Sequence, residues 1–332
     1  MSTIKDVAKL AGVSTSTVSR ALSNKIFVEE ATRKKVLAAV EALGYRPNIL
    51  AKGLKEGKTY TIAFLVPDIH SLYYPEIMKD IEEYASQKGY SVILCNCGGS
   101  IEREKKILEM QAARGIDGIL CMSVADDVSH LVEFQNQRKI PVVLVNRYTD
   151  ENISCITVDH EAGSYMMTKA LVERGHTKIA GVFGNSRRRR FRDRCAGCEK
   201  AMQEAGIEDY KRFFLYDVDT IEDAYQAAAK LLEQPEKPTV FFASMDALTL
   251  GIYRAIREKG LVIPRDISVV GFDNINITPF MMPPLTTFAE PTDGLAKRSV
   301  ECLLEQIADP GKRFKEVLDG TLIFRESLVS RV

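Results

Sequence analysis

No apolar run in the sequence approaches the roughly 20 residues that a membrane-spanning helix needs. The opening stretch MSTIKDVAKLAGVS has neither an apolar signal core nor a small-residue cleavage site. These two absences predict a cytoplasmic protein with no membrane partner. The seven cysteines are odd in number and lack framework spacing. Cys195-x-x-Cys198 has the form of half a zinc site, yet no second CxxC or His pair follows it. Free, largely buried thiols are therefore expected, with no metal and no cofactor. Histidine is scarce too: His70, His130, His160 and His176 are scattered without HExxH-type spacing.

Net charge is also missing, with 45 Lys/Arg against 45 Asp/Glu. That balance hides an asymmetry. Residues 1–58 carry 11 basic and 5 acidic side chains, a net of +6, which leaves 34 against 40, or −6, for the remainder. A small basic head on a larger acidic body predicts that only the head seeks a polyanion. At 332 residues, 45% hydrophobic and 27% charged, the chain is globular in composition and too long for one ordinary domain.

The first 45 residues hold three short helical patterns. Ile4, Val7, Ala8 and Ala11 recur on one face of a helix that stops at Gly12. Ser14 is placed to cap a second helix, whose Val18, Ala21 and Leu22 turn inward. A third runs from about Glu30 to Leu43, with Gly44 at its end. Small and apolar residues at Ala8, Gly12, Val13 and Val18 let two helices meet through a short turn, as in a helix-turn-helix whose second helix enters the major groove. Thr15 and Ser16 would then point at base edges, and Arg20 would offer a bidentate fork to guanine. Ser14, Thr17 and Ser19 are short hydroxyl donors suited to phosphate oxygens. A generic three-helix bundle with a solvated Ser/Thr face also fits these residues.

The stretches TIKDVAKLAGVSTSTVSRALSN and TRKKVLAAVEALGYRPN resemble the head of the lactose and purine repressor (LacI/GalR) family, densely over residues 3–58. The resemblance implies base reading by Thr15, Ser16 and Arg20. Ser23-Asn24 departs from the Asn-Gly commonly found after that helix. The following segment, ILAKGLKEGKT, has about nine residues of helical pattern after Pro47, too few to be stable alone, since isolated helices below about 12 residues are marginal. By resemblance it is a hinge that folds when paired across a dimer on DNA, with Asn48, Ala51, Lys52 and Leu54 as its DNA contacts. Leu54 would be the wedge driven into the minor groove. The family usually carries Arg where Lys52 stands, so a charge is kept and a planar fork lost. Packing of Leu54 on the body is the alternative. Gly53 to Thr59 imitates a phosphate-binding loop, but it is one residue short between glycines and precedes a strand where such a loop follows one.

From Tyr60 onward the apolar runs TIAFLV, YSVILCN, GILCM and PVVLVN alternate with helical stretches at 75–88, 101–114 and 126–137. A second set follows: KIAGVFG, FFLY, TVFFA and ISVVGF, with helices near 161–174, 192–205, 221–233 and 246–259. Such alternation predicts two α/β lobes built on doubly wound parallel sheets, with ligands at the strand C-termini. The fold class expected is therefore an all-α helix-turn-helix head plus an α/β body, and the body resembles the periplasmic sugar-binding-protein fold of the same family. That fold implies three crossovers. The expected domains are a head at 1–46, a hinge at 47–59 and a sensor at 60–332, with one lobe from about 60–159 and 290–318 and the other from 160–289 and 319–332.

Polar residues just after strands nominate the cleft: Asp68, Tyr73 and Tyr74, then Asn146 and Arg147, then Asn185 through Arg194, then Asp246 and Asp273. Arg194 and Asp273 match the family's hydroxyl-clamping pair through RCAGC and GFDN, although Cys198 stands where an aromatic is usual. The run Arg187 to Arg190 reads as a solvated loop or as an anion clamp. On the second reading the effector is a sugar acid or sugar phosphate held by Arg190 and Arg194.

These features predict a homodimeric repressor of a catabolic operon, binding a pseudo-palindromic double-stranded DNA operator under control of a small effector. Two rivals remain. A catabolite-type regulator would take a protein partner through an aromatic and an Arg on the helix after the last long crossover, where this chain has Asp293 and Glu301. A sugar-modifying enzyme would need a convergent acid and base or a metal set, and only His70 is placed to face the cleft, a surface or core position being the simpler account of it.

Overall fold

Local signals start and stop the first three helices. In α1 (Ile4–Ala11), the Thr3 side chain accepts from the Asp6 amide while the Asp6 carboxylate accepts from the Thr3 amide, a reciprocal cap. Gly12 ends the helix in the left-handed region at φ 68°. α2 (Thr15–Ser23) is capped by Ser14, whose Oγ accepts from the Thr17 amide at 3.2 Å. α3 (Glu30–Ala42) closes with Gly44 in the left-handed region. Val7, Ala8, Val18, Ala21, Val36 and Ala39 form a small buried core, and Ile4, Leu22, Val40 and Leu43 pack around it.

The structure is a computed structural model that describes residues 2–23, 28–45 and 57–331. The chain divides into two compact units, residues 1–59 and residues 60–332. Among the described residues, no helix is long and apolar enough to cross a membrane.

In the second unit, β1 (Thr61–Val66), β2 (Ser91–Asn96), β3 (Gly118–Cys121), β4 (Val142–Val145), β5 (Ser154–Val158) and β10 (Lys315–Leu318) form one parallel sheet in the order β10-β5-β4-β3-β1-β2. The other sheet contains β6 (Ile179–Val182), β7 (Val240–Ala243), β8 (Ser268–Asp273), β9 (Thr286–Ala289) and β11 (Thr321–Ile323), in the order β11-β9-β8-β7-β6. All its pairs are parallel except β11 on β9, a departure from the all-parallel expectation. Interior strands such as β3, β4 and β7 are buried on both faces. Edge strand β2 is not, and its Leu94 is exposed.

The helices of the first lobe are α4 (Tyr74–Gln87), α5 (Ile101–Ala113) and α6 (Ser129–Arg138), joined by α11 (Thr292–Ala308), which returns to pack beside α4. The second lobe holds α7 (His160–Glu173), α8 (Arg189–Glu204), α9 (Ile221–Leu231) and α10 (Asp246–Glu258). The chain therefore passes between sheets after β5, after β9 and after β10.

Two expectations are corrected here. FFLY is not a strand: Tyr210–Phe213 closes a 3-10 turn and Asp217 lies in the left-handed region, so only Leu215 bridges to the edge of β6. The arginine run is not wholly a loop either, because α8 begins at Arg189 and takes Arg189 and Arg190 into its first turn.

α8 carries Arg190 and Arg194 and lies hard against α7. A Cβ on Gly197 would sit 2.0 Å from the Glu161 carbonyl oxygen and 2.8 Å from the Tyr165 amide, both backbone atoms that cannot swing aside. Gly197→Ala should therefore force α8 off α7 and cost about 1–3 kcal/mol. A fall in the urea midpoint at unchanged slope checks this, and an unchanged midpoint would refute the close crossing.

Candidate functional site

The head presents one polar face. Packing of Val18 and Ala21 on α1 and α3 turns Thr15, Ser16, Ser19 and Arg20 outward, all exposed, with Thr17 partly buried. Ser14 is exposed, but its oxygen is engaged in capping and lies 2.7 Å from the Ser16 hydroxyl and 2.9 Å from that of Thr17. Its nomination as a phosphate donor thus competes with a structural role. Asn24, Asn48, Ala51, Lys52 and Leu54 lie outside the described residues.

The body has a cleft where strands of the two sheets end. Tyr73, Tyr74, Asn146, Arg190, Arg194 and Asp273 all line it, as does Glu290, which the sequence reading passed over. Glu290 is buried, and its two oxygens organise the site. Oε1 accepts from Arg194 Nη2 at 2.8 Å, and Oε2 accepts from the Tyr73 hydroxyl at 2.6 Å and Asn146 Nδ2 at 2.7 Å. Arg194 also donates to Asp273 Oδ1 at 3.1 Å and to the Ser244 carbonyl, and its guanidinium lies 3.7 Å from the centre of the Phe272 ring. Every arm of Arg194 is thus answered from within the protein.

Backbone strain gathers at the same place. Asn146 and Asp273 have φ of 52° and 117°, values that side chains other than glycine seldom adopt. Both are the first polar residue at the end of their strand. Burial pushes the Asp273 carboxyl well above its ordinary range, Arg194 opposes the shift, and the neighbouring Glu290 and Asp246 carboxylates reinforce it. Burial and then Glu290 raise the Tyr73 phenol. Burial, helped by Arg194 and Arg190, holds His160 well below the usual imidazole value, so it is neutral.

Three nominations fall elsewhere. Asp246 does not line the cleft: it is wholly buried behind it, where Oδ1 accepts from Thr287 Oγ1 at 2.7 Å and Oδ2 from the Ile275 amide at 3.0 Å. It occupies space that Gly271 leaves open, since a Cβ there would be 2.0 Å from Asp246 Oδ1. Asp68 is exposed and accepts from the His70 amide, and His70 is exposed beside it. The histidine near the cleft is His160, with Nδ1 3.4 Å from Glu290 Oε1. Glu290 directly follows β9 and His160 lies two residues past β5. The rule that nominated the other residues would have reached both had these two short, Thr- and Cys-containing strands been recognised.

The two lobes meet closely across the cleft. Glu76 Oε1 accepts from the Asn276 amide at 2.5 Å, Asp126 Oδ2 accepts from the Arg189 amide at 2.6 Å and Arg192 Nη2 at 3.1 Å, and Arg190 reaches the Tyr74 hydroxyl at 3.4 Å. The space left is ≈ 40 Å³. Arg190 and Tyr74 both line this space, so parting of the lobes widens it.

A helix-turn-helix unit joined to a two-lobed, periplasmic-binding-protein-like body defines a class of DNA-binding regulators. Comparison with known proteins agrees. Residues 59–329 match the periplasmic binding proteins and sugar binding domain of the LacI family, and residues 3–48 match the bacterial regulatory proteins of the lacI family. The chain is 38% identical over 312 residues to the HTH-type transcriptional repressor PurR of Vibrio atlanticus, covering 93% of each. It is 36% identical over 330 residues to the repressor of the same name from Photobacterium profundum, covering 99% of each. The lac repressor dimer bound to operator and the anti-inducer ONPF superposes with a TM-score of 0.87 at 27% identity, over 99% of both chains. A complex of the transcriptional regulator CelR with cellobiose gives 0.74 at 27% identity, over 99% of this chain and 100% of that one. The chain belongs to the LacI family; it is a DNA-binding transcriptional repressor and not an enzyme.

Two consequences can be measured. Burial raises the Asp246 carboxyl to about 6, with Thr287 and backbone amides opposing the shift. The folded chain thus keeps a proton that the unfolded chain releases near its ordinary value of about 3.9, so this group's stabilisation is full below about pH 4 and lost as pH rises past about 6. Measured against Asp246→Asn, in which the other titrating groups cancel, the parent's urea midpoint should fall with rising pH across that window. An equal slope in the variant would contradict the assignment. Separately, Glu290→Ala leaves Arg194 with Asp273 alone and removes the acceptor of Tyr73 and Asn146, and should destabilise the body by about 1–3 kcal/mol in the same urea assay. A loss under about 1 kcal/mol, the range of an exposed pair, would contradict its central place.

Proposed function

We propose that the chain represses a catabolic operon as a cytoplasmic homodimer, with two heads reading a pseudo-palindromic operator and a small effector in the interlobe cleft setting operator affinity. In this reading residues 1–46 are the DNA-binding domain, 47–59 the hinge and 60–332 the effector-binding and dimerisation domain, whose lobes comprise about 60–159 with 290–318 and 160–289 with 319–332. The observation that carries it is the outward row Thr15, Ser16, Ser19 and Arg20 on a capped second helix, in a segment (residues 1–58) with a net charge of +6. The first residues of that helix read base edges, Arg20 takes a guanine, and Thr17 and Ser19 hold the backbone.

Support for the dimer is a body that exposes Phe280 at 82% and Met282 at 90%, two large apolar side chains in one turn that a second copy would cover. The lac repressor of known structure is a dimer on its operator. Support for the effector is the polar, strained cleft, and the structurally similar regulator CelR forms a complex with cellobiose. A sugar, sugar acid or sugar phosphate fits the hydroxyl-matching groups Asp273 and Asn146. Such a ligand shifts operator affinity only through unequal binding to open and closed lobes. The partner-protein alternative gains nothing, since Asp293 accepts from Tyr84 and Glu301 pairs with Arg298 on the chain's own surface.

Selection of duplexes from a random pool by the full chain should enrich a two-fold symmetric site. Against that site Arg20→Ala should lose about 1–3 kcal/mol, roughly 5- to 150-fold in affinity, and relax discrimination at one base pair per half-site. Anisotropy titration at fixed salt measures it. Enrichment of no symmetric sequence would end the proposal.

A further inference from the structure

A second cavity of ≈ 330 Å³ lies beside the cleft, and Asn146 and Arg190 line both. Its wall comes from the ends of β4 and β5, the start of α7 and the first turn of α8.

Its lining carries both signs, Asp126, Asp159, Glu161 and Asp193 with Arg147, Arg189 and Arg190, but Arg147 and Arg190 are in no ion pair among the described residues. Arg147 donates through Nε to the Ser123 carbonyl at 3.2 Å and through Nη1 to the Asn146 carbonyl at 3.1 Å, and it has no carboxylate partner among the described residues. Arg190 donates only to the Tyr74 hydroxyl, and its Nε is buried with no partner. The acidic groups of the wall are engaged elsewhere: Asp193 with Arg189 at 3.5 Å, Asp126 with Arg192, and Asp159 with the Ala162 amide as the cap of α7. Glu161 is exposed to solvent. Arg147 and Arg190 thus share one cavity with no carboxylate among the described residues in direct contact with either, which leaves both forks available to an incoming anion. Burial, then the charges of Arg190 and Arg188, already bring Arg147 down to about 10.

Unanswered polar atoms mark the same space. His160 Nε2 and Asn146 Oδ1 are buried without partners, on side chains only 6% and 3% exposed that both line the cavity. His160 Nδ1 accepts from Arg194 at 3.3–3.4 Å, which places the ring proton on Nε2 and makes that atom a donor. Unpartnered donors on Arg190 and His160, with an acceptor on Asn146, suit an oxyanion that retains a hydroxyl. Arg194, by contrast, has nothing left to give an anion, which corrects the expectation that it clamps one together with Arg190.

We propose that this cavity is an oxyanion-binding site, in which Arg147 and Arg190 hold a carboxylate or phosphate group while the rest of the ligand enters the adjoining cleft past Asn146. It rests on the effector reading above and adds the ligand's charge class and the group that reads it. Arg147 is then the residue that separates acidic ligands from neutral ones.

The test uses the full chain and inorganic phosphate, titrated by calorimetry and thermal shift against chloride at matched ionic strength. Phosphate should raise Tm, Arg147→Gln should weaken phosphate at least about tenfold, Arg147→Lys should keep part of the affinity, and Arg187→Gln should change nothing. No phosphate-specific shift in the parent chain, or the same shift in Arg147→Gln, overturns the site. Glucose 6-phosphate, gluconate and glucose then distinguish the sources: the first two should compete with phosphate and the third should not. Operator affinity is read in parallel. Phosphate binding that needs Arg147 while none of these ligands alters operator affinity leaves the site standing and removes the effector reading. A neutral sugar that alters operator affinity equally in Arg147→Gln, with no competition from anions, does the reverse.

Discussion

A carboxylate removed from water must be answered on both oxygens, and Glu290 meets that requirement with groups from both lobes. Tyr73 and Asn146 come from the first lobe, Arg194 from the second. Glu290 itself stands on a crossover, between a strand of one sheet and the helix that returns to the other. Its charge therefore does more than fill the cleft floor. It makes the closed arrangement of the lobes and the orientation of the cleft's polar groups into one condition, because moving either lobe alone would leave part of the carboxylate unmatched.

The rest of the cleft follows from that centre. Arg194 faces Glu290 and Asp273 together, so its single charge is shared between two carboxylates, and Asp273 is left under-compensated and raised toward its protonated form. Asp246 stands behind as a third acid, holding Thr287 and the turn after β8 where Asp273 and Asn274 take positive φ. Strain in those residues persists because β8, β9 and the Asp246 bonds over-determine the turn. A ligand meets an acid-rich face at Asp273 and an arginine-rich one at Arg190, so the cleft is polar in direction as well as in composition.

What was legible in the sequence was local or repetitive. The head announced itself through Thr3, Gly12 and Ser14, since caps act within four residues and need no tertiary knowledge. Interior strands such as TIAFLV and PVVLV were readable because burial on both faces removes polar residues. The same cue misled at FFLY, where aromatic residues pack under a 3-10 turn. It also missed β9, whose Thr286 and Thr287 are fully buried yet hydroxylated and bonded to Arg325 and Asp246. With β9 unseen, Glu290 had no strand end to follow. Asp246 was misplaced for the opposite reason: position after a strand gives the end of the sheet, not whether a side chain points into the cleft or back under the neighbouring strand.

The arginine run shows how one stretch of like charge divides by geometry. Arg187 precedes the helix, Arg189 pairs with Asp193 and lies over Tyr148, and Arg190 points into the space between the lobes beside Tyr74. A run of charge read in one dimension is a solvated face; wound into the first turn of α8, successive residues diverge by about 100° and meet different surroundings. Arg190 is thereby fixed on the second lobe while its partner Tyr74 belongs to the first. Opening the cleft must part them, returning Tyr74 to a neutral setting and Arg190 to water or to a ligand. The same arginine that narrows the empty cleft is thus the group released when the lobes separate, and a ligand that replaces Tyr74 as its partner gains most from the state in which the lobes then close again.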